Sequence, residues 1–91
     1  MEMNLEIFEE QASFLRVLAH PVRLCIVKGL YEKGECNVSH MQNCLNVPQS
    51  TVSQHLQKLK SEGIVKSRRK GLEIYYQIND IRIKKIVEAL F

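Results

Sequence analysis

Apolar positions recur at helical spacing through the first two thirds of the chain, switch once to strict alternation, and then return to the helical period. Leu5, Phe8, Ala12, Leu15 and Leu18 mark one stripe of a helix predicted from Leu5 to about Ala19. His20-Pro21 breaks it: the residue before a proline disfavours helical backbone, whereas proline itself suits a first turn. A second helix starts near Pro21 and carries Leu24, Ile26, Val27, Leu30 and Tyr31, leaving through Lys33-Gly34-Glu35. Val38, Met41 and Leu45 face inward on a short third helix, Val38 to Leu45, capped by Asn37 or Ser39. Asn46-Val47-Pro48 connects it tightly to a fourth, whose stripe is Val52, Leu56 and Leu59 and whose exit is Ser61-Glu62-Gly63.

Beyond Gly63 the period is two. Ile64 to Arg69 and Leu72 to Ile78 are predicted strands, the second with Leu72, Ile74, Tyr76 and Ile78 on its buried side. Arg69-Lys70-Gly71 is the expected hairpin tip. Asn79-Asp80 then caps a last helix to Phe91, with Ile83, Ile86, Val87 and Leu90 on one face. The expected fold is mainly α with a small β-hairpin wing, order α-α-α-α-β-β-α. Two short helices joined by a few turn residues and followed by a hairpin make a winged helix-turn-helix. No repeat or linker interrupts it, so residues 1–91 read as a single domain.

The outer face of the fourth helix changes the picture from fold to function. Gln49, Ser50, Ser53, Gln54 and Gln57 offer uncharged donors and acceptors, the groups that read base edges in the DNA major groove. In a helix-turn-helix the leading end of the second helix enters that groove, which places Gln49, Ser50, Ser53 and Gln54 on bases and Thr51 at the edge. Lys58 follows a turn later, facing phosphate with Lys60, and His55 either touches phosphate or packs. Charge agrees. Residues 48–71 hold six bases and one acid, whereas residues 1–19 hold four acids and one base, although the whole chain is only +3. Arg68, Arg69 and Lys70 crowd the hairpin, suiting backbone or minor-groove contact.

Other classes fit less well. An RNA-binding or protein-interaction module needs exposed aromatics or a large apolar patch, and only Tyr75 offers itself on the outer strand face. No catalytic set is recognisable among the acids, histidines and cysteines, so no enzyme is expected. No apolar run approaches the roughly 18 residues that cross a bilayer. The acidic, amphipathic start is unlike a secretion signal, so a cytoplasmic protein with reduced cysteines is expected, and no membrane partner. Cys25, among Leu24, Ile26 and Val27, reads as a buried, inert thiol, and Cys44 as packing beside Met41 and Leu45.

The segments L-A-H-P-V-R-L-C-I-V (18–27), P-Q-S-T-V-S-Q-H-L-Q-K-L (48–59), E-G-I-V (62–65) and G-L-E-I-Y-Y-Q-I (71–78) together resemble the ArsR/SmtB family of bacterial transcriptional regulators. The resemblance implies a homodimeric repressor whose first and last helices, about 1–19 and 80–91, form the dimer interface. Its partner would be double-stranded DNA bearing a near-palindromic operator. Base contacts would come from Gln49, Ser50, Ser53 and Gln54, with Arg68, Arg69 and Lys70 in the wing.

Metal sensing by the family's sites is not expected. Where relatives place a C-x-C, this chain has Asn37 and Ser39; where they place an Asp-x-His, it has Asp80 and Arg82, and an always cationic guanidinium coordinates no metal. No cofactor follows. Gly34-Glu35-Cys36-Asn37-Val38 resembles the E-C-x-V segment of thiol-responsive members, which makes Cys36 the candidate thiol sensor, although no later cysteine than Cys44 is available to pair with it. A virulence- or toxin-operon regulator with no small-molecule inducer is the other branch that the resemblance leaves open.

Overall fold

The computed structural model describes residues 4–91, apart from the side chains of Asn43 and Cys44, so the packing expected of Cys44 lies outside the described residues. Five helices and three strands follow in the order α1 (Leu5–Leu18), α2 (Pro21–Lys33), β1 (Cys36–Asn37), α3 (Val38–Leu45), α4 (Gln49–Ser61), β2 (Val65–Lys70), β3 (Glu73–Ile78) and α5 (Ile81–Leu90). The caps are local chemistry. The side chains of Asn4, Asn37 and Asp80 accept the backbone N–H groups of Glu6, His40 and Arg82. His20 does the same for Val22 through Nδ1, with Pro21 filling the first turn of α2.

One strand escaped the sequence pattern. β1 is two residues long and joins the hairpin antiparallel, Cys36 opposite Tyr76 and Asn37 opposite Tyr75, giving the sheet order β1-β3-β2. Two residues cannot display a period, so only the partner strand reveals them. The hairpin turn is also shifted by one residue from the expected place. Lys70 pairs with Glu73, leaving Gly71 and Leu72 as the turn, so Leu72 stands at the exposed tip rather than on the buried side of β3.

A single apolar cluster gathers Phe14, Val17 and Leu18 of α1, Ile26, Val27 and Leu30 of α2, Val52, Leu56 and Leu59 of α4, Ile64, Val65 and Tyr76 of the hairpin, and Ile83 and Val87 of α5. Two expectations change here. On α1 the core takes Phe14, Val17 and Leu18, while Leu5, Phe8 and Leu15 of the expected stripe face outward with Ile7. Cys25 is exposed, not buried. The inward arc of α2 is defined by Ile26, Val27 and Leu30, and Cys25 falls outside it, at the rim of a cavity of about 230 Å³ that Cys36 and Met41 also line.

Gly29 lines that cavity too, in helical backbone, and a Cβ added there meets nothing within 4 Å. Gly29→Ala should therefore raise stability by about 0.5–1 kcal/mol, by removing the glycine penalty in a helix. Leu56→Ala empties a fully buried site and should cost about 2–5 kcal/mol. Urea midpoints measure both; a midpoint lowered by Gly29→Ala would contradict the open space.

Candidate nucleic-acid interface

The connection from α3 to α4 begins at Asn46, which takes left-handed backbone (φ 57°) and closes α3 by donating its N–H to the Gln42 carbonyl. Asparagine tolerates that conformation better than most side chains. Pro48 then turns the chain into α4, its carbonyl accepting the N–H groups of Thr51 and Val52. No side chain caps α4, so its leading amides remain directed outward.

With Val52, Leu56 and Leu59 fully buried, the rotation of α4 is fixed. At about 3.6 residues per turn, Ser50 and Gln54 fall opposite that stripe, with Gln57 and Lys58 beside them. All four are exposed. Gln49, Ser53 and Gln57 form the flank toward the wing, where they share a cleft of about 350 Å³ with Leu72, Glu73 and Ile74. Thr51 and His55 lie on the opposite flank, toward α2, and are half-buried.

His55 is a strut as well as a surface residue. Arg23 of α2 donates from Nε to its Nδ1 at 3.1 Å, and a second Arg23 nitrogen, Nη1, donates to the Val17 carbonyl. The His20 ring lies 4.5 Å away, centroid to centroid. Burial, with help from the charges of His20 and Arg23, holds the His55 imidazole below its usual pKa. A neutral ring accepts Arg23's hydrogen bond, so the arrangement ties α4 to α2.

The three wing cations do not share one environment. Alternation along β2 puts Arg68 and Lys70 on the outer sheet face with Glu73 and Tyr75, and Arg69 on the face shared with Val65 and Ile74. Glu35 accepts from Arg68 Nη2 at 3.1 Å and from Lys70 Nζ at 2.6 Å. Lys70 Nζ also stands 4.7 Å from the centre of the Tyr75 ring. Glu73 in turn accepts from Asn37 Nδ2 and the Tyr75 hydroxyl. The basic tip predicted from sequence is thus held by Glu35, an acid whose place in the chain marks it only as part of the exit from α2. Only the β1–β3 pairing brings Glu35 alongside the hairpin.

At the start of α5, Arg82 stands two residues after the capping Asp80 and bridges it to α1. Its Nη2 donates to Asp80 Oδ2 at 2.6 Å, its Nη1 reaches Gln11 Oε1 of α1 at 2.8 Å, and its guanidinium lies 3.8 Å from the centre of the Phe14 ring. Asp80 is consumed by this ion pair, and its carboxyl is held below the usual range by Arg82's hydrogen bonds. Among the described residues no three His, Cys, Asp or Glu side chains converge as metal donors.

Residues 20–67 match the family described as bacterial regulatory protein, arsR family. Over 82 residues the chain is 45% identical to the transcriptional repressor PagR of Bacillus anthracis, spanning 90% of this chain and 82% of that protein. It is 43% identical to the HTH-type transcriptional repressor SmtB of Mycobacterium tuberculosis, of whose length the match spans 60%. In three dimensions it resembles the crystal structure of PagR (TM-score 0.86, 42% identity, 97% of this chain and 100% of that one). It also resembles NolR from Sinorhizobium fredii (TM-score 0.88, 34% identity, 99% of this chain and 92% of that one).

The Glu35 clamp predicts a pH dependence. Hydrogen bonding from Lys70, then from Arg68, depresses the Glu35 carboxyl below its ordinary pKa. Its contribution is therefore complete above the ordinary carboxylate range and lost as pH falls through the depressed value. Amide exchange in Val65–Lys70 should show protection lost in acid, whereas Glu35→Gln should show reduced protection that no longer follows this titration. Identical profiles for the two proteins would contradict the clamp.

Proposed function

From the premise that this chain is a DNA-binding transcriptional regulator and belongs to the arsR family, we propose that it acts as a homodimeric repressor reading a near-palindromic operator. The observation that carries this reading is the exposed apex of α4, where Ser50, Gln54 and Gln57 stand without an acid among them. Each protomer lays α4 in the major groove, with Gln49, Ser50, Ser53 and Gln54 toward base edges and the uncapped helix N-terminus toward phosphate. Thr51 and His55 border the contact; Lys58 and the wing residues Arg68, Arg69 and Lys70 engage the backbone.

Dimerisation is supported by apolar surface that the core leaves uncovered. Leu5, Ile7, Phe8 and Leu15 on α1, and Ile81, Leu90 and Phe91 around α5, are all more than half exposed. Segments 1–19 and 80–91 of one 91-residue winged-helix unit are the dimerisation elements in this proposal. Two copies related by a twofold axis bury that surface and present two α4 helices to successive turns of one DNA face.

Cys36 is the candidate thiol sensor. It is buried in the short strand paired with β3 and lines a cavity together with the exposed Cys25. Treating wild type with a persulfide donor should weaken operator binding, and Cys36→Ser should abolish the response. Equal responses in both proteins would remove Cys36 from this role.

The base-reading assignment is tested with a duplex selected by the protein from a random pool, compared with a scrambled duplex. Gln54→Ala should lower the preference between them by about 1–3 kcal/mol, whereas Lys58→Ala should weaken both alike and reduce the salt dependence by about one phosphate contact. An unchanged preference for Gln54→Ala, measured by fluorescence anisotropy, would contradict the assignment.

A further inference from the structure

The wing ends in a side chain that folding does not require. Its turn consists of Gly71 and Leu72 alone. Gly71 takes left-handed backbone (φ 62°), and the only non-glycine residue with positive φ among the described residues is Asn46. The turn is therefore of the Gly-X kind, in which glycine at the first position meets the special backbone demand and the second position accepts ordinary side chains. A polar residue would serve as well and would be better hydrated. The residue present is leucine, and it is 100% exposed.

Its surroundings separate it from the apolar surface assigned to dimerisation. Leu72 belongs to the wing, and together with Glu73 and Ile74 it lines the cleft that faces Gln49, Ser53 and Gln57 of α4. Arg68, Arg69 and Lys70 precede it across Gly71. Glu35 holds Arg68 and Lys70 on the outer sheet face, while Arg69 projects on the other. The tip thus combines cations, which draw it to phosphate, with one apolar side chain that neither water nor phosphate rewards.

We propose that Leu72 is a minor-groove wedge that enters a base step beside the operator half-site and kinks the duplex there. This rests on the DNA-binding reading above and adds a second contact of a different chemical kind. With α4 in the major groove, the wing tip beside it reaches across the intervening strand to the neighbouring minor groove. Partial unstacking exposes the apolar faces of two base pairs, which Leu72 covers; minor-groove binders use leucine and similar side chains in this way. Pyrimidine–purine steps unstack most easily, so the wedge gives the protein a preference at a position where no hydrogen bond reads the base.

The test uses the full chain and a duplex it selects from a random pool, labelled at its two ends with a fluorescent donor and acceptor. Wild type should bend the duplex by at least about 20°. Leu72→Ser should lose about half of that bend or more, Leu72→Met should retain it, and circular dichroism should show both folded. Leu72→Ser should also lose the preference for a pyrimidine–purine step at the kink. A straight wild-type complex, or a Leu72→Ser complex bent as strongly as wild type, overturns the wedge and leaves the DNA-binding reading standing. Failure of wild type to bind any selected duplex overturns both.

Discussion

The rotation of α4 is the constraint on which the rest of this molecule depends. Val52, Leu56 and Leu59 are fully buried, and each such side chain contributes roughly 1.5–3 kcal/mol over leaving it in water. Rolling the helix by a third of a turn would expose that stripe and bury Gln54 or Gln57 without partners, which is costly in its own right. The apex of amides and hydroxyls is therefore set by the apolar face behind it. Arg23 adds a second restraint through His55, and backbone contacts add a third: Ile64 N–H donates to the Leu59 carbonyl, and Asn79 N–H to the Ile64 carbonyl. The wing is thereby hung from the end of the same helix.

Elements written into the chain by periodicity were legible before the structure. The five helices are where spacing, caps and breakers put them, the hairpin is there with its turn shifted by one residue, and the ArsR/SmtB-like segments in α2, α4 and the wing point to the family to which the chain belongs. What escaped depends on partners distant in sequence. β1 is strand only because Tyr75 and Tyr76 lie opposite it, and Glu35 clamps the wing only because β1 joins that sheet. Cys25 has apolar neighbours in sequence yet is exposed, because its place around the helix is what decides burial. Leu72 continues the alternation of β3 in sequence but lies one residue beyond its pairing, in the turn.

Outward apolar residues on α1 have a related explanation. Period alone could not say which of two stripes faced the protomer's own core. The structure gives the core Phe14, Val17 and Leu18, and leaves Leu5, Phe8 and Leu15 to the surface. A chain of this length has a limited interior, and uncovered apolar stripes on its first and last helices are what association of two copies would bury. Arg82 sits between these helices, joining Asp80 to Gln11 and stacking on Phe14. Its ion pair with Asp80 orients the guanidinium at the head of α5, and the hydrogen bond to Gln11 and the stacking on Phe14 then tie α5 to α1.

The proposed dimer requires a symmetric pair of α4 helices in successive major grooves. Missing-base and phosphate-ethylation interference on a selected duplex tests it most directly. Two clusters of essential bases are expected in the major groove, centred about one helical turn apart and related by a twofold axis. Essential phosphates should flank each cluster on the side of the wing. A single uninterrupted cluster, or interference confined to phosphates with no essential base, would contradict it.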